Sequence, residues 1–216
     1  MQKFINPTPE TWRELAERGS ASFASLEPLA KRVFNKVAKS GDKALSKYTE
    51  KFDNVKLEDF SVSKNEIEQA IGRVPNKLKN AIKQAKDNIF RFHSAQKTGQ
   101  VSVETQKGVN CWQKKLPIEK VGLYVPGGSA PLFSTILMLA IPAQVAGCSE
   151  VVLCSPPNSN GHLSDVILYT ANLCGVDNIF KVGGIQAIAG MTIGTKTLPK
   201  VDKLFGPGNQ YVTVAK

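Results

Sequence analysis

The stretch Val121–Pro157 decides the fold, and it reads VGLYVPGGSAPLFSTILMLAIPAQVAGCSEVVLCSPP. An apolar strand leads into a Gly-Gly turn, which is followed by a long apolar helix, a glycine stop and a second apolar strand. This order is typical of a β-α-β unit. Because Gly127 and Gly128 have no side chains, backbone N–H groups stay uncovered where the helix dipole favours an anion. The stretch therefore predicts an α/β fold with a ligand that carries phosphate or another anionic group.

The alternation of strand and helix continues to the end of the chain. Four short apolar strands are predicted, at Val121–Val125, Glu150–Cys154, Asn178–Val182 and Lys203–Phe205. The helices between them are predicted at about Leu132–Ala146, Leu163–Cys174 and Ile185–Met191. Strands that are apolar on both faces are typical of a parallel sheet with helices on each side.

Glycine-rich turns follow three of these four strands. They are Pro126-Gly127-Gly128, Gly183-Gly184 and Gly206-Pro207-Gly208-Asn209. The carboxyl ends of parallel strands lie along one edge of the sheet, which is where ligands of such sheets bind. We therefore expect the three turns to converge on a single site.

Polar residues beside the glycine turns are the candidate ligand-binding residues. Tyr124 ends the first strand, Gln186 falls in the first turn of a helix, and Asn209 follows Gly208. Each has a structural alternative: Tyr124 suits core packing, and Asn209 suits a helix N-cap. The dinucleotide fingerprint GxGxxG does not occur in the sequence, so the site differs from the ordinary Rossmann loop.

The first part of the chain predicts helices and a hairpin. A helix carrying Leu26 to Val37 ends at Gly41, and Ser63-Lys64-Asn65-Glu66 has the pattern of a capping box. Alternation from Val101 to Thr105, a turn at Lys107-Gly108 and renewed alternation from Val109 to Pro117 predict a β-hairpin.

Charge and composition narrow the possible classes of function. The net charge is +10, and residues 1–120 hold 23 of the 28 Lys and Arg with 14 of the 18 Asp and Glu. The basic residues are interleaved with acids and form no run of five, as on solvated helix faces. This pattern disfavours nucleic acid as a partner, although a non-catalytic nucleotide-binding or RNA-binding module stays open as an alternative.

The cysteines, the histidines and the N-terminal sequence predict a cytoplasmic protein with no metal site in this chain. Four cysteines have no close pairing, and the N-terminus lacks the apolar core of a signal peptide. No uncharged apolar run is long enough to span a membrane. His93 and His162 have no acids at metal-ligand spacing, so neither predicts a zinc site.

Several motifs resemble histidinol dehydrogenases. They are VGLYVPGG (121–128), SAPLFSTILMLAIPA (129–143), AGCSEVVLCSPP (146–157), LCGV (173–176), VGGIQAIAG (182–190), PKVDKLFGPGN (199–209) and VTVAK (212–216). The upstream segments GDKALSKYTEKFD (41–53) and FHSAQK (92–97) are similar to that family too. The resemblance extends over nearly the whole chain.

The resemblance implies a function and a set of binding residues. Histidinol dehydrogenases oxidise L-histidinol to L-histidine with two NAD+ in succession, through histidinaldehyde, in the last steps of histidine biosynthesis. They are zinc-bound, cytoplasmic homodimers with two Rossmann-like domains in an aldehyde dehydrogenase-like arrangement. Their NAD contacts match Tyr124, Gln186 and Asn209 here.

The resemblance also predicts that the chain is an N-terminal part of such an enzyme. The family's zinc ligands, acid–base pair and histidinol-binding residues follow the FGPGN motif, so no catalytic or metal-binding residue is expected here. Residues 1–120 are expected to form a helical region with a hairpin that starts one Rossmann-like domain, and residues 121–216 most of a second, NAD-binding one. We expect this chain alone to be inactive.

Residues 1–120 are expected to expose apolar surface that favours association. Another NAD enzyme of the aldehyde dehydrogenase type stays open as an alternative, and it would require a nucleophilic cysteine such as Cys154.

Overall fold

The computed structural model describes residues 3–16, 23–128 and 130–216. The helices in these ranges are α1 (Pro9–Ala16), α2 (Glu27–Ser40), α3 (Asp42–Asp53), α4 (Lys64–Arg73), α5 (Asn76–Ala95), α6 (Phe133–Ala146), α7 (Asp165–Leu173), α8 (Gly184–Ile193) and α9 (Gln210–Ala215). The strands are β1 (Val101–Gln106), β2 (Val109–Gln113), β3 (Lys120–Tyr124), β4 (Glu150–Ser155), β5 (Asn178–Lys181) and β6 (Lys203–Phe205). A short 3-10 turn spans Phe23–Ser25.

A parallel sheet of four strands forms the centre of the fold. Its strand order is β5-β4-β3-β6, and every neighbouring pair is parallel. Strands β1 and β2 form a separate antiparallel hairpin. The predicted class, a Rossmann-like α/β sheet with an N-terminal helical region and a hairpin, is confirmed.

Alternate residues of the strands pack on opposite faces of the sheet. Leu123, Leu153 and Ile179 belong to a core that includes residues of α4, α5, α6 and α7. Their immediate neighbours Tyr124, Cys154 and Phe180 belong to a second core with residues of α2, α3, α8 and α9. Because side chains alternate along a strand, one buried sheet supports both layers of helices.

Local sequence signals fix the ends of several helices. Gly41 ends α2 with a positive φ of 52°, as the glycine there predicts. Ser63 and Glu66 form the predicted capping box, since each side chain accepts the other residue's backbone N–H. The second hairpin strand is shorter than predicted: it ends at Gln113, and residues 114–117 are not part of a strand.

Helix α8 is buried nearly all round. Residues 185–191 are all buried, because the helix contacts the sheet as well as α2, α3 and α9. A helix in such a place has no polar face to solvent, and its sequence IQAIAGM is almost wholly apolar. Gln186 is the exception, which makes it a candidate for a functional role.

No helix in the described ranges is both long enough and apolar enough to cross a membrane. The longest, α5, has 20 residues and is amphipathic. The division of the chain at residue 120 into two domains stays a prediction.

Candidate functional site

A cavity of about 640 Å³ opens at the carboxyl edge of the parallel sheet. Residues that follow β3, β4, β5 and β6 all contribute to its wall, as do residues of α2 and α3. Tyr124, Gln186 and Asn209, the three residues selected from the sequence, line this one cavity. The three glycine turns therefore converge on one cavity, as the sequence predicts.

Tyr124 is buried at the end of β3, with 4% of its surface exposed. Its hydroxyl oxygen accepts the backbone N–H of Gly184 at 3.0 Å. Burial raises the pKa of Tyr124 to about 12, so the phenol keeps its proton at neutral pH. Tyr124 thus presents a neutral hydroxyl to the cavity and also ties β3 to the start of α8.

Gln186 is fully buried in the first turn of α8. Its side-chain Nε2 donates to Asp53 Oδ2 at 3.0 Å, whereas its Oε1 has no hydrogen-bond partner among the described residues. An unpaired buried acceptor costs free energy unless a ligand or water supplies a donor. Gln186 therefore has one hydrogen-bonding group fixed by the protein and one buried acceptor that no described donor satisfies.

Asn209 lies at the opposite side of the sheet's edge, after β6. Its Oδ1 accepts the backbone N–H of Val212 at 3.2 Å, which makes it the N-cap of α9. The N-cap interpretation of Asn209 is confirmed. Because the oxygen is engaged in the cap, the side-chain NH2 is the group that Asn209 offers to the cavity.

Close backbone approaches explain the glycines around the cavity. A Cβ on Gly127 would lie 2.7 Å from Pro156 Cγ, and one on Gly183 would lie 2.4 Å from Pro156 Cβ. A Cβ on Gly206 would lie 2.1 Å from the carbonyl oxygen of Tyr124. Side chains at these positions would collide with neighbouring atoms, so glycine is required for the turns to pack together.

Asp53, which the sequence interpretation did not select, is the only acidic side chain in the wall of the cavity as the described residues form it. It is the last residue of α3, and no basic side chain of the described residues lies within 4 Å of its carboxylate. Burial raises the pKa of Asp53 to about 6, although the hydrogen bond from Gln186 lowers it. A carboxylate at the negative end of a helix dipole is the one signal in the sequence that could have identified it.

Flat apolar groups form much of the remaining wall. Phe52 precedes Asp53 in α3, Pro156 and Pro157 follow β4, and Tyr211 lies in the first turn of α9. Phe52 and Tyr211 each remain 39% exposed. Aromatic and proline rings of this kind provide surfaces on which a planar base can pack.

The described residues do not assemble a metal centre or an activated thiol. No group of three or more His, Cys, Asp or Glu within them is close enough to hold a metal ion. Cys154 is fully buried in β4, and burial raises the pKa of its thiol far above the usual range. A protonated, inaccessible thiol is a poor nucleophile, so this geometry does not support the aldehyde dehydrogenase-type alternative.

Comparison with known proteins identifies relatives over the whole chain. The model of the family described as histidinol dehydrogenase matches residues 16–216. Histidinol dehydrogenase from Bacteroides thetaiotaomicron is 53% identical over 217 residues, which cover 100% of this chain and 51% of the relative. The enzyme of that name from Pasteurella multocida is 57% identical over 184 residues, covering 85% of this chain and 42% of the relative.

A solved structure shows the same fold. The crystal structure of histidinol dehydrogenase from Elizabethkingia anophelis superposes with a TM-score of 0.93 and is 52% identical in sequence. The match covers 100% of this chain and 50% of that one. The chain therefore spans about half the length of the relatives that it matches.

Proposed function

The chain belongs to the histidinol dehydrogenase family, and from this membership we propose that it forms the NAD-binding part of an enzyme that oxidises L-histidinol to L-histidine. The observation that carries the proposal is the single cavity lined by Tyr124, Gln186 and Asn209. We propose that these three residues contact NAD, as the resemblance of their motifs implies. Family membership also makes a separate RNA-binding module the weaker interpretation.

The cavity fits a nucleotide in size and chemistry. Its volume of about 640 Å³ lies in the ordinary range of small-molecule sites. The unpaired Oε1 of Gln186 supplies a buried acceptor, and Gly127 and Gly184 form part of the cavity wall. NAD, when bound, supplies the acceptor for the hydride that leaves the substrate.

The residues of this chain bind and orient the cofactor. Tyr124 holds its hydroxyl in place through Gly184, so the hydroxyl proton can be donated to the ligand without a loss of order on binding. Gln186 is fixed by Asp53 and accepts from the ligand through Oε1. Asn209 donates through its side-chain NH2 from the other side of the cavity.

Zinc is implied by the family, but the described residues do not fit a zinc site, because no group of potential ligands comes together in them. We therefore assign zinc no step on these residues. We propose that the residues for the two oxidations through histidinaldehyde lie outside this chain, and that the 216 residues alone do not oxidise histidinol. NADH formation from L-histidinol by the purified chain, above a no-enzyme control, would contradict this.

We propose that residues 1–120 begin one Rossmann-like domain, that residues 121–216 form most of the NAD-binding one, and that the intact enzyme is a cytoplasmic homodimer. Four free cysteines in the described chain agree with a reducing compartment.

Titration of the chain with NAD tests the binding site directly. Tyr124→Phe removes the hydroxyl and leaves the Gly184 N–H unpaired, so NAD affinity should fall by about tenfold. The matched control is Tyr169→Phe on α7, because the Tyr169 hydroxyl is buried without a hydrogen-bond partner among the described residues. Equal NAD affinity in both variants and the original chain would refute the assignment of this cavity.

A further inference from the structure

The carboxylate of Asp53 occupies an unusual place in the cavity. It lies at the C-terminal end of α3, half-buried, with no basic side chain of the described residues within 4 Å. Burial and the helix dipole both disfavour a negative charge there. A carboxylate that is kept in such a place without a cation is a candidate for ligand recognition.

Only one of the two carboxylate oxygens has a protein donor. Oδ2 accepts from Gln186 Nε2 at 3.0 Å, and no described donor reaches Oδ1, which lies beside the Gly183 backbone. Oδ1 would be 3.2 Å from a Cβ at Gly183, so a larger residue at that position would crowd this oxygen. The protein thus leaves one oxygen of a half-buried carboxylate available on the wall of the cavity.

The charge of Asp53 determines which part of a nucleotide can lie beside it. A phosphate would be repelled by the carboxylate, whereas hydroxyl groups donate hydrogen bonds to it. Each carboxylate oxygen has two lone pairs, so the two neighbouring hydroxyls of a ribose can donate to the free Oδ1 and to the second lone pair of Oδ2, as ribose hydroxyls do to acidic residues in other dinucleotide-binding folds. Phe52 is adjacent in sequence and lines the same wall, so a base attached to that ribose has an apolar ring beside it.

We infer that Asp53 binds the hydroxyls of the adenosine ribose and that it thereby sets a preference for NAD over NADP. The assignment rests on the proposed function of the cavity. NADP carries a phosphate on the 2′ oxygen of that ribose, which would place two like charges together in a half-buried site. The adenosine half is favoured because the flat rings of Phe52, Pro156 and Tyr211 can pack against a purine.

Ligand titrations of the original 216-residue chain give the first test. The chain should bind NAD more tightly than NADP, and AMP more tightly than 2′,3′-dideoxyadenosine monophosphate, each by about tenfold. Equal binding of AMP and its dideoxy form would overturn the role of Asp53 while leaving the NAD site intact. Absence of NAD binding would instead overturn the proposed function itself.

The variant Asp53→Asn gives the second test, because asparagine retains an acceptor for Gln186. It should lower the affinity for NAD and AMP by about tenfold. It should also reduce the ratio of the NAD affinity to the NADP affinity. Binding of the dideoxy nucleotide should not change, since it has no ribose hydroxyls. The matched control is Asp87→Asn, which removes an exposed carboxylate on α5 and should change none of these affinities.

Two results of the variant experiment would refute the inference. If Asp53→Asn lowers the affinity for AMP and the affinity for its dideoxy form equally, Asp53 acts only by positioning Gln186. If it lowers the affinity for nicotinamide mononucleotide and not for AMP, the adenosine assignment is wrong. Thermal unfolding of each variant shows whether the cavity is still folded.

Discussion

The half-buried charge of Asp53 lowers the stability of the folded chain, and this effect of a single residue can be measured. Its pKa rises from an ordinary 3.8 to about 6 because the side chain is half-buried. The folded state therefore binds the proton more tightly than the unfolded state does. The stability that the neutral carboxyl gives is fully present below pH 3.8 and is lost as the pH rises from there through about 6.

Replacement of Asp53 by asparagine should remove this pH dependence. We expect Asp53→Asn to be more stable than the original chain at about pH 8 and nearly equal to it at about pH 4. Urea unfolding of both proteins at the two pH values measures the difference. The exposed substitution Asp87→Asn is the control, and a stability gap for Asp53→Asn that does not depend on pH would contradict the shifted pKa.

Gly206 is a second residue whose substitution should destabilise the fold, because there is no space for a Cβ atom at this position. Its φ of 137° is strained for other residues, and a Cβ would lie 2.1 Å from the Tyr124 carbonyl oxygen. Gly206→Ala should therefore reduce the free energy of unfolding by roughly 3 kcal/mol or more and weaken NAD binding through Tyr124. Gly99→Ala, at a position with open space around it, should leave both quantities nearly unchanged.

The sequence alone predicts three of the cavity residues because each lies next to a strand end. Tyr124, Gln186 and Asn209 adjoin glycine turns, and a parallel sheet brings such turns to one edge. Asp53 could not be predicted in this way. It reaches Gln186, 133 positions later, only because α3 packs on α8. That contact depends on tertiary packing, which no local pattern near Asp53 records.

At the scale of elements, the capping box at the start of α4 is both predictable and testable. Ser63→Ala removes the acceptor for the Glu66 N–H, so the free energy of unfolding should fall by about 1 kcal/mol. Ser63→Thr keeps a hydroxyl at the cap, so its free energy of unfolding should fall much less. Thermal or urea unfolding distinguishes the two variants, and equal losses would show that the cap contributes nothing specific.

The sequence pattern predicts the ends of the strands more accurately where the strands are buried than where they are exposed. No end of the largely buried strands β3, β4 and β5 differs from its predicted position by more than one residue, and the partly buried edge strand β6 matches its predicted bounds, Lys203–Phe205. The hairpin strand β2 was predicted to continue to Pro117 but ends at Gln113. Every residue of β1 and β2 is exposed, so no core fixes how far their pairing extends.

At the scale of the whole molecule, exposed apolar side chains collect on the hairpin and on the end of α5. Val101, Val103 and Trp112 of the hairpin are at least half exposed, and Phe92 of α5 is 64% exposed. A two-stranded hairpin exposed on both faces has little stability of its own. We refer to these four residues, which lie on both faces of the hairpin and on α5, as the hairpin patch. The helices of residues 27–95, in contrast, do bury apolar faces against the sheet layers.

Association of the chain should depend on the hairpin patch. Apolar groups in water favour contact with other apolar surface, so we expect concentration-dependent association and binding of a hydrophobic dye. The double variant Val103→Lys with Trp112→Lys should reduce both, with little change in the melting temperature, because these side chains are exposed. Sedimentation over a range of concentrations, together with dye fluorescence, measures the effect. The control is Gln69→Lys with Asn80→Lys, which adds the same charge on exposed polar positions of α4 and α5. If the control reduces association as much as the patch variant, net charge rather than the hairpin patch governs association.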